Sequence, residues 1–248
     1  VERPSFAKYI LPSTWSLDGI GLFGTILPSL SYEMYLTGGL DGSGFSAKKG
    51  IRGGRMKGRP GLSEPAFSFR LDYSPLSNID FRIPQDLRVG FSFWTGGLNN
   101  GNKGKNPGVD ADMQIYSADF EYGIAAVDFR GAMAMERINN PESIGNNVAE
   151  IIAGYYIEAA WHFWPESMKK GRLVNSDAEI FIRYDDFNTQ FDMPDGVVKD
   201  PSADRTEVTM GLTFYPVENL ALKMDYQIRD DATDDVDNKF NLGIGFMF

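Results

Sequence analysis

The sequence predicts an all-β protein, an antiparallel transmembrane β-barrel with about eleven strands in this chain. Along the last stretch, large apolar residues alternate with polar residues or glycine, at Phe240, Leu242, Ile244, Phe246 and Phe248. A lipid-facing strand needs one uniformly apolar side, whereas its other side need only be polar or small. The composition agrees, because 27 glycines, 13% aromatic and 42% hydrophobic residues make a chain too polar for a helical membrane protein, and no run of roughly 18 apolar residues occurs.

The elements follow from the chain in order. Residues 1–16 have no clear period and contain Pro4 and Pro12, so they are predicted to form a loop. Period-two alternation then predicts strands at 18–26, 29–37, 66–74, 87–95, 111–122, 124–136, 148–163, 177–187, 205–215, 219–230 and 238–248.

The alternation between odd and even positions decides whether the most apolar stretch, 148–163, is a strand or a helix. Its acidic residues and the only histidine, His162, are at even positions, whereas its large apolar residues are at odd positions. The stretch is therefore predicted to be a strand. Aromatic residues near strand ends are expected to form the girdles at the membrane interfaces: Tyr73, Trp94, Trp161, Trp164, Tyr215 and Phe248.

The strand positions that alternate with the apolar ones are often charged, and charged side chains cannot face lipid. Several are opposite charges two residues apart on one strand. The candidate pore-lining residues are Arg70, Asp72, Arg88, Asp128, Arg130, Glu158, Arg183, Asp185, Lys223 and Asp225. Two interpretations remain open: a transverse field that guides polar solutes, or wall charges that neutralise one another and keep a hydrated barrel rigid.

The connection 38–65 is glycine-rich and basic in a chain whose formal net charge is −10. It could fold into a pore and form a constriction, because rings of Lys and Arg select anions. It could also bind lipopolysaccharide phosphates, or have no role. Its candidate constriction residues are Lys48, Lys49, Arg52, Arg55, Lys57 and Arg59.

Other classes of function are disfavoured. The negative charge argues against nucleic acid as a partner. The chain has no G-x-S-x-G, P-loop or H-E-x-x-H motif, and His162 has the wrong parity for a lipid-facing catalyst, so no enzyme activity is predicted. No cofactor or metal site is predicted either, although the acidic stretch 229–237 contains five Asp residues. The absence of cysteine is compatible with the cell envelope.

Four sequence runs within the first 75 residues resemble those of a known family. The runs Y-I-L-P-S-T-W-S-L-D-G-I-G-L-F-G, S-Y-E-M-Y-L-T-G-G-L-D, G-I-R-G-G-R and F-R-L-D-Y-S-P are similar to bacterial outer-membrane porins related to the phosphate-selective porins O and P. The resemblance implies a diffusion channel of about sixteen strands that forms a homotrimer. A final Phe also resembles the assembly signal of outer-membrane barrels, which implies a periplasmic C-terminus. Here, however, inward acids outnumber inward bases, a departure from the phosphate-selective pattern.

These observations predict a porin in the bacterial outer membrane, in contact with lipid and lipopolysaccharide, that passes small hydrophilic or ionic solutes. The alternative is a non-conducting structural or interaction barrel within a larger envelope complex. Counting back from a periplasmic C-terminus, the longer connections fall on the outer side in four of the five paired comparisons with the periplasmic turns, as in known barrels. An odd strand count also predicts that 1–248 is a single barrel domain forming the C-terminal part of a longer barrel, so that strand 18–26 pairs with only one strand of this chain.

Overall fold

The computed structural model describes residues 3–13, 15–55, 61–77, 79–80, 82–102, 107–233 and 236–247. Its strands are β1 (Gly19–Leu27), β2 (Leu30–Thr37), β3 (Ala66–Tyr73), β4 (Gln85–Gly97), β5 (Asp112–Ile124), β6 (Val127–Asn139), β7 (Ile151–His162), β8 (Asp177–Asp192), β9 (Asp204–Val217), β10 (Leu220–Asp231) and β11 (Lys239–Phe246). One short helix, α1, spans Phe6–Tyr9. Brief 3-10 turns occupy Gly42–Gly44, Ile51–Gly54, Pro141–Ser143, Glu166–Met168, Gly171–Leu173 and Pro201–Ala203.

The strands form one antiparallel sheet in which each strand pairs with the next along the chain. The all-β prediction and all eleven predicted strands are therefore confirmed. Strands β4 and β8 extend beyond their predicted ends, and β7 is shorter than predicted. Among the described residues, β1 and β11 are the two edges of the sheet and do not pair with each other.

The two faces of the sheet are inverted relative to those of a soluble protein. Apolar side chains cover one face and are exposed, as shown by Leu242 at 71% and Ile244 at 77%. Buried polar side chains lie on the other face, including Glu158, Arg183 and Thr209. We call these the outer and inner faces. The predicted parity is therefore confirmed along the strands.

The sheet is curved around its inner face. The hydroxyl of Thr189 in β8 donates to the carbonyl of Ala47 at 2.5 Å, and Arg205 in β9 donates to the carbonyl of Lys48 at 3.0 Å. Residues 47 and 48 belong to the connection between β2 and β3. Five strands separate β2 from β8, so these contacts require the sheet to curl.

The N-terminal stretch differs from the loop that its prolines predict. Its α1 turn packs on the inner face, where Phe6 and Ile10 are buried. Together with Phe45 and Ile51 of the β2–β3 connection, they join an apolar cluster with the wall residue Ile152. We call residues 3–17 the crossing segment, because Ser5 contacts β9 and residue 18 leads into β1 at the edge of the sheet.

Two of the predicted girdle residues lie elsewhere. Trp94 belongs to the inner face and packs against the apolar cluster, and the Tyr215 hydroxyl donates to the inner-face residue Glu179. Both have inward parity, so proximity to a strand end was a misleading signal. Tyr73 and Trp161 are exposed on the outer face, and Trp164 packs on Phe214; Phe248 lies outside the described residues.

Within the described ranges, no helix has the length and hydropathy needed to cross a membrane.

Candidate functional site

The first charged cluster of the inner face spans β3 to β5. Arg70 bonds Asp72 at 2.7 Å, two residues along its own strand, and Asp119 at 2.9 Å on β5. Arg88 bonds the same two carboxylates at 2.8 and 2.7 Å and also reaches Glu121 at 3.0 Å. The two arginines and two aspartates are each 21 to 31% exposed. We call these five residues the open cluster.

A glycine allows the open cluster to form. Gly90 of β4 lies between Asp72 and Asp119 in the strand register. A Cβ at this position would collide with the Arg70 guanidinium and with the Asp119 carboxylate. Without a side chain at residue 90, Arg70 can reach across a whole strand to Asp119.

A second cluster spans β6 to β8 and has similar chemistry. Arg183 bonds Asp185 at 2.8 Å and Glu158 at 3.3 Å, and Arg130 donates to Glu158 at 2.7 Å. The side chains of Arg183, Glu158 and Asp185 are only 2, 4 and 0% exposed, whereas Arg130, at the rim of the group, is 57% exposed. We call these four residues the covered cluster.

The crossing segment supplies the cover. The Ser5 hydroxyl donates to Glu207 at 2.6 Å, and the Phe6 backbone N–H donates to Asp185 at 3.2 Å. Tyr9 stacks on Phe187 with ring centroids 5.5 Å apart. These contacts give the buried carboxylates of Glu207 and Asp185 a donor each, so the segment satisfies part of the wall that it covers.

An arginine also anchors the crossing segment. The Arg205 guanidinium lies 5.3 Å from the Tyr9 ring centroid and 5.7 Å from that of Phe187. Its Nε donates to the Ser202 carbonyl at 2.6 Å. Arg205 thus joins the crossing segment, β8, β9 and the basic connection at one point.

The basic connection is held by its apolar residues, with its cations exposed. Ile51 is buried in the apolar cluster, whereas Arg52 is exposed and lies 5.8 Å from the Tyr9 ring centroid. Lys48, Lys49 and Arg55 are also exposed. Lys57 and Arg59 lie outside the described residues. The connection therefore folds over the inner face, beside the crossing segment.

The predicted charge pairs are realised in two of four cases. Arg70 bonds Asp72 and Arg183 bonds Asp185, as the spacing predicts. Asp128 instead faces the ring of His162 across the strands at 2.9 Å, and Arg130 bonds Glu158. Asp225 accepts a hydrogen bond from Asn241 at 2.7 Å. The interstrand register, which the local spacing does not report, decides these partners.

His162 lies among carboxylates on the inner face. Its Nδ1 contacts Asp177 and its Nε2 contacts Asp128, while Glu179 lies 3.6 Å from Nε2. In the part of the chain that the structure describes, no group of three or more acidic or histidine side chains is arranged to hold a metal ion.

A cavity of about 430 Å³ separates the crossing segment from the wall of β3 to β7. Phe6, Ala7 and Leu11 line one side. Arg70, Asp119 and Tyr156 line the other. The crossing segment therefore covers the wall near β7 to β9 and leaves open space along the open cluster. The sequence predicted an inward charge at Arg70 but not this asymmetry, which depends on contacts between distant parts of the chain.

No protein-family model matches this chain. An uncharacterized protein of Aquifex aeolicus (strain VF5) is 27% identical over 267 residues, a match that covers 100% of this chain and 56% of that protein. The chain thus spans little more than half the length of this relative. Among solved structures, the crystal structure of Pseudomonas aeruginosa OccD3 (OpdP) is similar with a TM-score of 0.45 and 10% sequence identity, over 93% of this chain and 67% of that one.

Proposed function

We propose that this chain forms part of the wall of a water-filled channel in a bacterial outer membrane, through which small hydrophilic solutes diffuse passively. The observation that carries the proposal is the inverted sheet. Its outer face is apolar and exposed, as at Ile157 and Ile182, and its inner face carries Arg70, Arg88 and Asp119. Lipid favours the first face, and only a hydrated interior suits the second.

The edges of the sheet extend the proposal to a larger barrel. Unpaired N–H and C=O groups in lipid cost several kcal/mol each, so β1 and β11 both need partners. We assign those partners to strands outside the present residues, giving a barrel of about sixteen strands with both termini periplasmic. A trimeric assembly surrounded by lipopolysaccharide belongs to the same proposal and is supported by the sequence resemblance.

The crossing segment and the basic connection form the constriction in this proposal. They narrow the interior near β8 and β9 and leave the passage along the open cluster. Because carboxylates outnumber Arg and Lys on the inner face, we expect a preference for cations and not for phosphate. The protein acts by selective passage and carries out no chemistry.

Single-channel recording of the purified protein in planar bilayers tests the proposal. Discrete, persistent open steps are the expected result, with a reversal potential that indicates cation preference in a salt gradient. Silence from protein whose folding is verified by circular dichroism and protease resistance would contradict the channel.

A non-conducting structural barrel is the second candidate. The observation in its favour is the apolar layer of Phe6, Ile10 and Ile51, which fills part of the inner side. If this layer closes the barrel, the intact protein is silent, but a variant lacking residues 3–13 conducts. Conduction by the intact protein excludes this candidate.

A further inference from the structure

A second cavity, of about 410 Å³, lies between residues 11–17 of the crossing segment and the inner face of β2 to β5. Its volume is within the range of about 300 to 1,000 Å³ that is usual for small-molecule sites. One side is apolar and is formed by Leu11, Pro12, Trp15, Leu17, Trp94 and Ile115. The other side is polar and is formed by Glu33, Tyr35, Ser68, Arg70 and Ser92.

Arg70 supplies the guanidinium in this lining, and that group is not available to an anion. The Nε of Arg70 donates to Asp72, and its Nη2 donates to Asp72 and Asp119. Its Nη1 donates to Ser92 and Asp119, both at 2.9 Å. A guanidinium has five N–H donors, and all of them are used within the wall. An anion in the cavity would meet a saturated arginine beside several carboxylates.

Glu33 has the opposite character. It lies directly opposite Arg70 in the strand register, but Arg70 bonds Asp72 and Asp119 instead. Glu33 is exposed and accepts a hydrogen bond from the Tyr35 hydroxyl at 2.9 Å. A carboxylate can accept about four hydrogen bonds, so Glu33 retains capacity for an ammonium donor.

The two tryptophans determine what the apolar side offers. The indole nitrogens of Trp15 and Trp94 are buried, and neither has a hydrogen-bond partner among the described residues. Since both nitrogens are hidden from solvent, the ring surface that lines the cavity is carbon. Indole faces attract cations and also pack well against apolar groups.

We infer that this cavity binds small organic cations that carry an apolar or aromatic group. The ammonium group lies against Glu33, and the apolar group packs on Trp15 and Trp94. The inference rests on the proposed function, because it places the site inside the proposed channel and names the solute class that is held there.

Binding to the full-length protein in detergent tests the site without requiring conduction. Phenethylammonium, 2-phenylethanol and phenylacetate share one ring and differ in charge. We expect saturable calorimetric binding of phenethylammonium, at least about fivefold tighter than that of the other two probes. Glu33→Gln should reduce the affinity for phenethylammonium to the level of the alcohol, whereas the control Glu121→Gln should preserve it, because Glu121 belongs to the open cluster and is not in the cavity lining.

Substitutions of Trp94 test the contribution of the apolar side of the cavity separately from that of Glu33. Trp94→Leu should weaken phenethylammonium and 2-phenylethanol together, and Trp94→Phe should retain most of the affinity. Equal or tighter binding of phenylacetate, or unchanged affinity in Glu33→Gln, would overturn the inference. A protein that conducts but does not bind phenethylammonium refutes this site alone, and one that binds it but never conducts refutes the proposed channel.

Discussion

The open and covered clusters are built from the same side chains but lie in different surroundings. Each has two arginines bonded to carboxylates, and each contains an Arg–Asp pair two residues apart on one strand. In the open cluster the arginines and aspartates remain 21 to 31% exposed, whereas Arg183 and Asp185 are 2 and 0% exposed beneath the crossing segment. The difference shows that similar charge pairs serve two purposes on the inner face: one group stays open to solvent, and the other binds the crossing segment, which the proposed channel uses as its constriction.

The largest expected difference concerns stability. Arg183→Met leaves Asp185 buried without its charge partner and leaves Glu158 paired with Arg130 alone, which should lower the free energy of unfolding by about 3 to 5 kcal/mol. Arg70→Met in the open cluster should lower it by only about 1 kcal/mol, because water can solvate the released carboxylates. Guanidinium unfolding of both variants in phospholipid vesicles measures the comparison. Equal losses would mean that the covered cluster is hydrated after all.

Removing a side chain that anchors the crossing segment should expose the part of the inner face that this segment covers. Phe6→Ala deletes a buried ring and should weaken docking by about 3 kcal/mol. We therefore expect a larger and noisier single-channel conductance than that of the parent protein. The control is Phe240→Ala, which removes a ring of the same size from an outer-face residue that is 59% exposed. An unchanged conductance in Phe6→Ala would mean that the segment does not limit the passage.

One buried acid, six residues along β6 from Arg130 of the covered cluster, has no compensating partner among the described residues. Glu136 is 0% exposed, and its carboxylate oxygens have no hydrogen-bond partner among the described residues. Ile115 and Ile152 lie opposite it on the two neighbouring strands. Glu136→Met should therefore raise the free energy of unfolding by about 1 to 3 kcal/mol. The control Glu158→Met should lower the free energy of unfolding, because Arg183 would lose a partner. A loss of stability in both variants would show that Glu136 has a stabilising partner.

The smallest expected effect concerns the exposed cations of the basic connection. Arg52→Gln combined with Arg55→Gln should increase the preference for cations by less than about twofold, because exposed charges are screened within about 10 Å at 0.1 M salt. Reversal potentials measured in a salt gradient would show the change. Arg172→Gln, which changes an exposed cation in a different connection, is the control. No shift would remove the connection from the ion path and favour a role in lipopolysaccharide binding.

The strands were predictable because their signal is local. Alternation along a single strand, as at Phe240 and Leu242, identifies both the strand and its lipid-facing side. The covered cluster was not predictable to the same extent, because its burial depends on Ser5 and Phe6 bonding to strands about 180 to 200 residues away. Trp94 illustrates the limit, since its sequence position suggested a membrane girdle but its parity placed it on the inner face.

The central claim is that the inner face contacts water and the outer face contacts lipid. The sequence has no cysteine, so a single introduced cysteine is a unique label. Ser117 lines both inner cavities, and Tyr116, the preceding residue of β5, has the opposite parity and is 37% exposed on the outer face. With the protein in phospholipid vesicles, a membrane-impermeant cationic thiol reagent should label Ser117→Cys rapidly and leave Tyr116→Cys unreacted. Rapid labelling of Tyr116→Cys with protection of Ser117→Cys would contradict this arrangement of the two faces.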